Sequence, residues 1–236
     1  MLPVQNYAVS GKKYDRGDDV GDFPTPVWAT RALMEKVLHN MPSKQMTCLE
    51  PACNRGYMSK PLADYFGVVI ASDKYSYGDN TILDFLTVSK EDLPPVDFVI
   101  TNPPFGLAQQ FIEKGLEIAD KGVAVLVRTS FLEGKKRFEE LYIKHPPALI
   151  AQFTERVPMI KGRLLKSSTT ATSYCWLVFT KTPTAPFPTF VWIPPCRKQL
   201  ERDGDYEPEP EERNNGHENR TPAQSAGELG EGVSIA

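Results

Sequence analysis

Several things are scarce in this chain, and each scarcity removes a class of function. It has four cysteines and three histidines in 236 residues. Cys48, Cys53, Cys175 and Cys196 show no CxxC spacing, and His39, His145 and His217 are scattered. No metal site and no disulfide framework is expected, and a reducing cytoplasm is the expected setting. Cys53 reads as a small buried residue. Long apolar runs are also missing. Val123-Ala124-Val125-Leu126-Val127 is far too short to span a bilayer. The opening residues lack a basic region followed by an apolar one, so no signal peptide is expected. Finally, there is no G-x-G-x-x-G. The loop Glu50-Pro51-Ala52-Cys53-Asn54-Arg55-Gly56 has one glycine and begins with an acid that would repel a pyrophosphate. That argues against nicotinamide or flavin binding.

Charge is unevenly spread. From Gln199 onward there are ten acidic residues against three basic ones, whereas 121–166 holds ten Lys and Arg against four acids. The acidic segment, with Glu207-Pro208-Glu209-Pro210-Glu211-Glu212, is expected to be disordered. The basic segment would suit a phosphate backbone, although charge alone equally describes a solvated surface. Four regions follow: a flexible arm over 1–22, a folded domain over 23–181, a Pro-rich extension over 182–198 and an acidic tail over 199–236.

Within the domain, apolar strands alternate with amphipathic helices. Strands are expected at Met46–Glu50, Val68–Asp73, Phe98–Thr101, Val123–Arg128, Ala148–Thr154 and Ser173–Thr180, with a shorter one inside Thr81–Leu86. Helices are expected near Val27–Asn40, Tyr57–Phe66, Ala108–Asp120 and Lys135–Lys144. This order predicts an α/β fold with a doubly wound, mostly parallel seven-stranded sheet. The last two strands have no helix between them and should form an antiparallel hairpin at one edge.

In such sheets ligands bind beyond the carboxyl ends of the strands. Those ends carry Glu50, Asp73, Asp84 and Asn102. An acid at Glu50 suits a cationic ligand, an ammonium or a sulfonium, and Asp73 is placed to accept from ribose hydroxyls. The fourth end reads Asn102-Pro103-Pro104-Phe105. Two prolines remove two backbone donors and fix φ, so neither sheet nor helix continues. A rigid loop remains, with one amide, exposed carbonyls and one ring. It can grip a planar group that bears an NH2.

Together, Glu50-Pro51-x-x-Asn54-x-Gly56, Asp73, Asp84-Phe85 and Asn102-Pro103-Pro104-Phe105 resemble the motifs of class I S-adenosylmethionine-dependent amino-methyltransferases. The nearest likeness is to small phage- and prophage-type N6-adenine DNA methyltransferases, over residues 23–181. The resemblance implies S-adenosylmethionine as cofactor. Glu50, Pro51, Ala52, Asn54 and Gly56 would surround its methionine portion, Asp73 its ribose, Asp84 its adenine amino group, and Phe85 its ring. Thr25-Pro26 would close over its carboxylate, with Asn102 between cofactor and acceptor. Asn102, Pro103, Pro104 and Phe105 would hold the nitrogen to be methylated, most simply adenine N6 in DNA. Asn54 departs from the glycine usual at its position. Arg128, Arg156, Lys161 and Arg163 are candidate substrate contacts. An acceptor in RNA, cytosine N4 or a protein glutamine amide remains open, as does a non-catalytic cofactor-binding module. No target-recognition domain is evident, so a partner that supplies sequence specificity is a further expectation.

Overall fold

The structure, a computed structural model, describes residues 22–182, 185 and 187–208. Eight strands form one sheet: β1 (Thr47–Glu50), β2 (Val68–Asp73), β3 (Thr81–Ile82), β4 (Phe98–Thr101), β5 (Gly122–Arg128), β6 (Leu149–Phe153), β7 (Tyr174–Thr180) and β8 (Thr189–Ile193). Their order is β3-β2-β1-β4-β5-β7-β6-β8. β3, β2, β1, β4 and β5 run parallel, and β7 is antiparallel to both β5 and β6. The expected α/β fold and the antiparallel pairing are present.

Two details differ from expectation. The sheet has eight strands, because Thr189–Ile193 of the Pro-rich extension pairs in parallel with β6. The antiparallel pair therefore lies inside the sheet, and β8 forms the edge. Pro188 before β8 and Pro194-Pro195 after it limit the ladder to five residues.

Both faces of the sheet are covered, which is why its strands read as continuous apolar runs. The period-two alternation of β7 divides the two cores. Tyr174, Trp176 and Val178 join the core beneath α1 (Val27–Ala32) and α2 (Ser59–Leu62), and Cys175, Leu177 and Phe179 join the other. The second core lies beneath α3 (Ala108–Ile118), whose buried Ala108, Phe111, Ile112, Gly115 and Ile118 recur at helical spacing. Trp176 Nε1 donates to the Ala29 carbonyl at 3.2 Å, which pins α1 to the middle of the sheet.

Three helices are shorter than their periodicity suggests. After Ala32 the chain widens, and Leu38 N donates to the Leu33 carbonyl five residues back. α4 (Lys135–Arg137) widens likewise, with Ile143 N donating to the Phe138 carbonyl. α2 is a single turn.

The segment that begins at Gln199 is not free of the domain in its first ten residues. α5 (Arg197–Leu200) buries Leu200, and Asp205 forms a bidentate pair with the buried Arg31. Contacts with the domain thus continue across the expected boundary near 198. The arm over 1–21 and the tail from 209 lie outside the described residues. Among the described residues no helix is long and apolar enough to cross a membrane.

Candidate active site

Glu50, Asp73 and Asn102 stand at or just beyond the carboxyl ends of β1, β2 and β4, with Asp84 following β3. All four line one cavity of about 640 Å³. Thr25, Pro51, Ala52, Asn54, Phe85, Pro103, Pro104, Phe105 and Lys161 share its wall. Pro26 and Gly56 are not in the wall. Pro26 is the buried N-cap of α1, where its fixed φ starts the helix. Gly56 takes φ +81°, which shapes the loop from behind.

Glu50 is buried, and its Oε2 has no hydrogen-bond partner among the described residues. Burial, and then the negative charge of Asp73, push its carboxyl up to about 8, against the opposing hydrogen bonds from Ser59. Two carboxylates thus face one cavity with too little positive charge between them. A cation placed there would lower the cost of ionising both.

Asp73 organises the loop in front of it. Its Oδ2 accepts from Asn54 N and its Oδ1 from Tyr75 N, each at 3.0 Å. Asn54 takes φ +49°, a left-handed conformation that Asn tolerates better than most residues. Its side chain is used twice, accepting from Arg55 N at 2.7 Å and donating to Asp22 Oδ1 at 2.6 Å. Arg55 pairs with Asp22 and donates to the Gly162 carbonyl at 2.8 Å. The β1–α2 loop is thereby tied to the β6–β7 loop across the mouth of the cavity.

Asp84 is paired with Lys74 at 2.9 Å. Phe85 reaches the cavity wall from within the core, where its ring packs on Phe111 at 5.1 Å. Asn102 is held by its nitrogen. Nδ2 donates to Thr25 Oγ1 at 3.0 Å, with the Phe23 carbonyl at 3.4 Å and Met159 Sδ at 3.6 Å as further partners. This fixes the amide orientation and leaves Oδ1 as its acceptor. Phe105 is 42% exposed, with the Phe23 ring at 4.9 Å and the Arg128 guanidinium over it at 4.2 Å.

Of the four basic candidates, Lys161 lines this cavity and Arg128 reaches it through Phe105. Arg156 donates to Ser173 Oγ at the base of the β6–β7 loop, and the exposed Arg163 bridges to Ile160. Neither lines the cavity. Phe23, Asp22, Lys74 and Met159 join the site beyond the residues expected from the sequence. Only Lys74 carried a local signal, as the residue after the strand-end acid. The others meet the site through contacts far along the chain.

No family model matches the sequence, and no curated protein does. Solved structures match by shape. A protein of Listeria monocytogenes assigned to the class I S-adenosylmethionine-dependent methyltransferases aligns at TM-score 0.52 and 18% identity, over 75% of this chain and 67% of that one. A protein assigned as an RNA methyltransferase of Pyrococcus horikoshii aligns at TM-score 0.53 and 16% identity, over 73% and 94%. The fold is that of the class I methyltransferases. A protein assigned as the modification subunit of a type I restriction enzyme of Vibrio vulnificus aligns at TM-score 0.52 and 17% identity. That alignment covers 75% of this chain, which spans 48% of the subunit's length. The class I fold places the strand-end cavity where open α/β sheets bind their ligands.

Proposed function

We propose that this chain is an S-adenosylmethionine-dependent methyltransferase acting on an exocyclic amino nitrogen, adenine N6 in DNA. One observation carries the reading. The rigid Asn102-Pro103-Pro104-Phe105 loop forms a wall of the cavity that also holds the buried carboxylates Glu50 and Asp73. A cationic donor and an NH2 acceptor would there meet across a single loop.

The residues present fit the cofactor. The partnerless Glu50 Oε2 and the neighbouring Asp73 suit a ligand that carries positive charge and hydroxyls, and the cavity is large enough for it. Pro51, Ala52 and Asn54 would hold its amino-acid end with Glu50, Asp73 its ribose, and Asp84 with Phe85 its base. Thr25 lies beside Asn102 to close that end. When bound, S-adenosylmethionine supplies an electrophilic methyl group.

The chain's own part is orientation. An adenine NH2 is a poor nucleophile because its lone pair is delocalised into the ring. Asn102 Oδ1 and the Pro103 carbonyl accept its two hydrogens, which favours a more tetrahedral nitrogen. Thr25 holds the Asn102 amide in the required sense. The two prolines keep these acceptors from relaxing, so their dipoles are preorganised. Phe105 offers a face for stacking once Phe23 or Arg128 gives way. No strong base is needed, since the proton becomes acidic only after the nitrogen is methylated. A base within a duplex must first be extruded, at about a few kcal/mol.

The test is incubation with radiolabelled-methyl cofactor and separate DNA, RNA and protein pools, alongside Asn102→Ala. Label in DNA that falls at least about a hundredfold with Asn102→Ala is expected. Label confined to protein would overturn the nucleic-acid reading, and label in RNA alone would move it to that polymer. Label unaffected by Asn102→Ala would overturn the mechanism. Cofactor binding without label in any pool would leave a non-catalytic module. A partner that supplies sequence specificity would show as a rise in transfer to defined sites when cell extract is added.

A further inference from the structure

A second cavity, of about 560 Å³, lies on the other side of the Asn102–Phe105 loop, between α3, α4 and the end of β5. None of the cofactor roles above uses it. We infer that it receives the nucleotide next to the target in a single-stranded or locally opened nucleic acid. The inference rests on the reading of the first cavity as a site of transfer to a base.

Two flat stacks stand in its wall. The Arg128 guanidinium lies over the Phe105 ring at 4.2 Å, and the Arg137 guanidinium over the Phe131 ring at 4.0 Å. Arg137 is fixed there, since its Nη1 donates to the Phe131 carbonyl at 2.7 Å and also to that of Glu133. Rigid rings and guanidinium planes are the surfaces on which unstacked bases are held. The cations in the wall are Arg128, Lys136 and Arg137, against the single acid Glu140. Lys136 meets Glu140 at 3.8 Å with its own side chain 84% exposed, a contact that water screens strongly. Its ammonium is available to a phosphate. Gln110, exposed at the start of α3, adds an amide that can address a base edge.

The shared wall sets the register. A strand crossing the Pro-Pro loop would present one base to Asn102 and the next to Phe131. An acidic peptide would satisfy the cations but leave both stacks unused, so a nucleic acid fits better. The chain would then read one neighbouring base without a separate recognition domain.

Fluorescence anisotropy of the full chain with a short labelled single strand tests this without any methyl transfer. Phe131→Ala should weaken binding about tenfold, with Phe131→Tyr retaining it. Lys136→Ala should lower the slope of log affinity against log salt by about one, and Lys136→Arg should restore it. DNA and RNA strands run in parallel identify the polymer. Equal binding of polyglutamate, or an unchanged salt slope in Lys136→Ala, would overturn the inference. So would a wild-type chain that binds no strand. A strand that binds as described yet takes no label would instead overturn the transfer reading and leave the cavity assignment standing. Label in nucleic acid with binding insensitive to both substitutions would do the reverse.

Discussion

Asn102 and Thr25 are joined by a hydrogen bond of 3.0 Å, from the Asn102 side-chain nitrogen to the threonine hydroxyl. An amide can flip, and only one orientation presents its oxygen to an NH2 acceptor. Thr25→Val keeps the shape and removes the acceptor. A lost hydrogen bond of this kind costs about 1–1.5 kcal/mol. The turnover number for methyl transfer should fall about tenfold, with Thr25→Ser close to wild type. Single-turnover kinetics at saturating cofactor checks it, and an undiminished rate in Thr25→Val would remove the orienting role.

Glu50 gives the site a pH dependence. Its carboxyl is pushed up to about 8 in the folded chain by burial and Asp73, against an ordinary 4.5. The folded state therefore binds this proton more tightly than the unfolded state. Its contribution to stability is fully present below about 4.5 and is lost as pH rises towards about 8. Chemical denaturation from pH 5 to 8 should show wild type losing stability relative to Glu50→Gln. A cationic cofactor favours the ionised carboxylate, so its affinity should rise with pH over the same window, with proton release. Calorimetry in buffers of different ionisation enthalpy measures that release, and a pH-independent affinity with no proton release would count against it.

The sequence made these acids legible because a charged residue ending an apolar strand in a two-faced sheet has only the ligand-binding edge to occupy. The two-faced burial of β4, β5 and β7 was readable for a related reason, as unbroken apolar runs. Phe23, Asp22 and Met159 were not readable. Their importance lies in contacts with Asn102, Asn54 and Phe105 that no local pattern encodes. Asp205 was hidden differently. Its neighbourhood is acidic and Pro-rich, so composition assigned the whole segment to a disordered tail, yet its partner Arg31 stands 174 residues earlier.

That partnership should be costly to break. Arg31 and Asp205 approach to 2.6 Å with side chains only 6% and 9% exposed, and Arg31 also donates to the Leu200 carbonyl. Asp205→Ala would leave a guanidinium buried with two of these three acceptor atoms gone. Destabilisation of about 3–5 kcal/mol is expected, whereas Arg31→Met with Asp205→Leu should recover most of it. Urea melts of wild type and the two variants decide the matter. A loss below 1 kcal/mol in Asp205→Ala would mean that 201–208 is not part of the cooperative unit.

Gly122 marks a close approach of strands. A Cβ there would lie 2.6 Å from the Phe179 carbonyl oxygen and 3.2 Å from the Phe98 ring. Because the first obstacle is backbone, the ladder between β5 and β7 must shift to admit it. Gly122→Ala should destabilise by about 1–3 kcal/mol, read by thermal or urea unfolding. An unchanged midpoint would show that the ladder yields freely.

Asn54 has the left-handed backbone that glycine adopts most easily but puts its side chain to use. At φ +49° it accepts from Arg55 N and donates to Asp22, which in turn pairs with Arg55 across the cavity mouth. Two substitutions separate the backbone from the side chain. Asn54→Gly keeps the left-handed conformation and loses both hydrogen bonds, so the loop should fold while its tie to Asp22 loosens. Asn54→Ala loses the bonds and adds strain of about 1 kcal/mol. Cofactor dissociation measured by stopped-flow should therefore quicken several-fold in Asn54→Gly, with stability near wild type. In Asn54→Ala both dissociation and the unfolding midpoint should worsen. If Asn54→Gly instead bound cofactor more tightly than wild type, the Asp22 tie would be a hindrance to binding rather than a closure of the site.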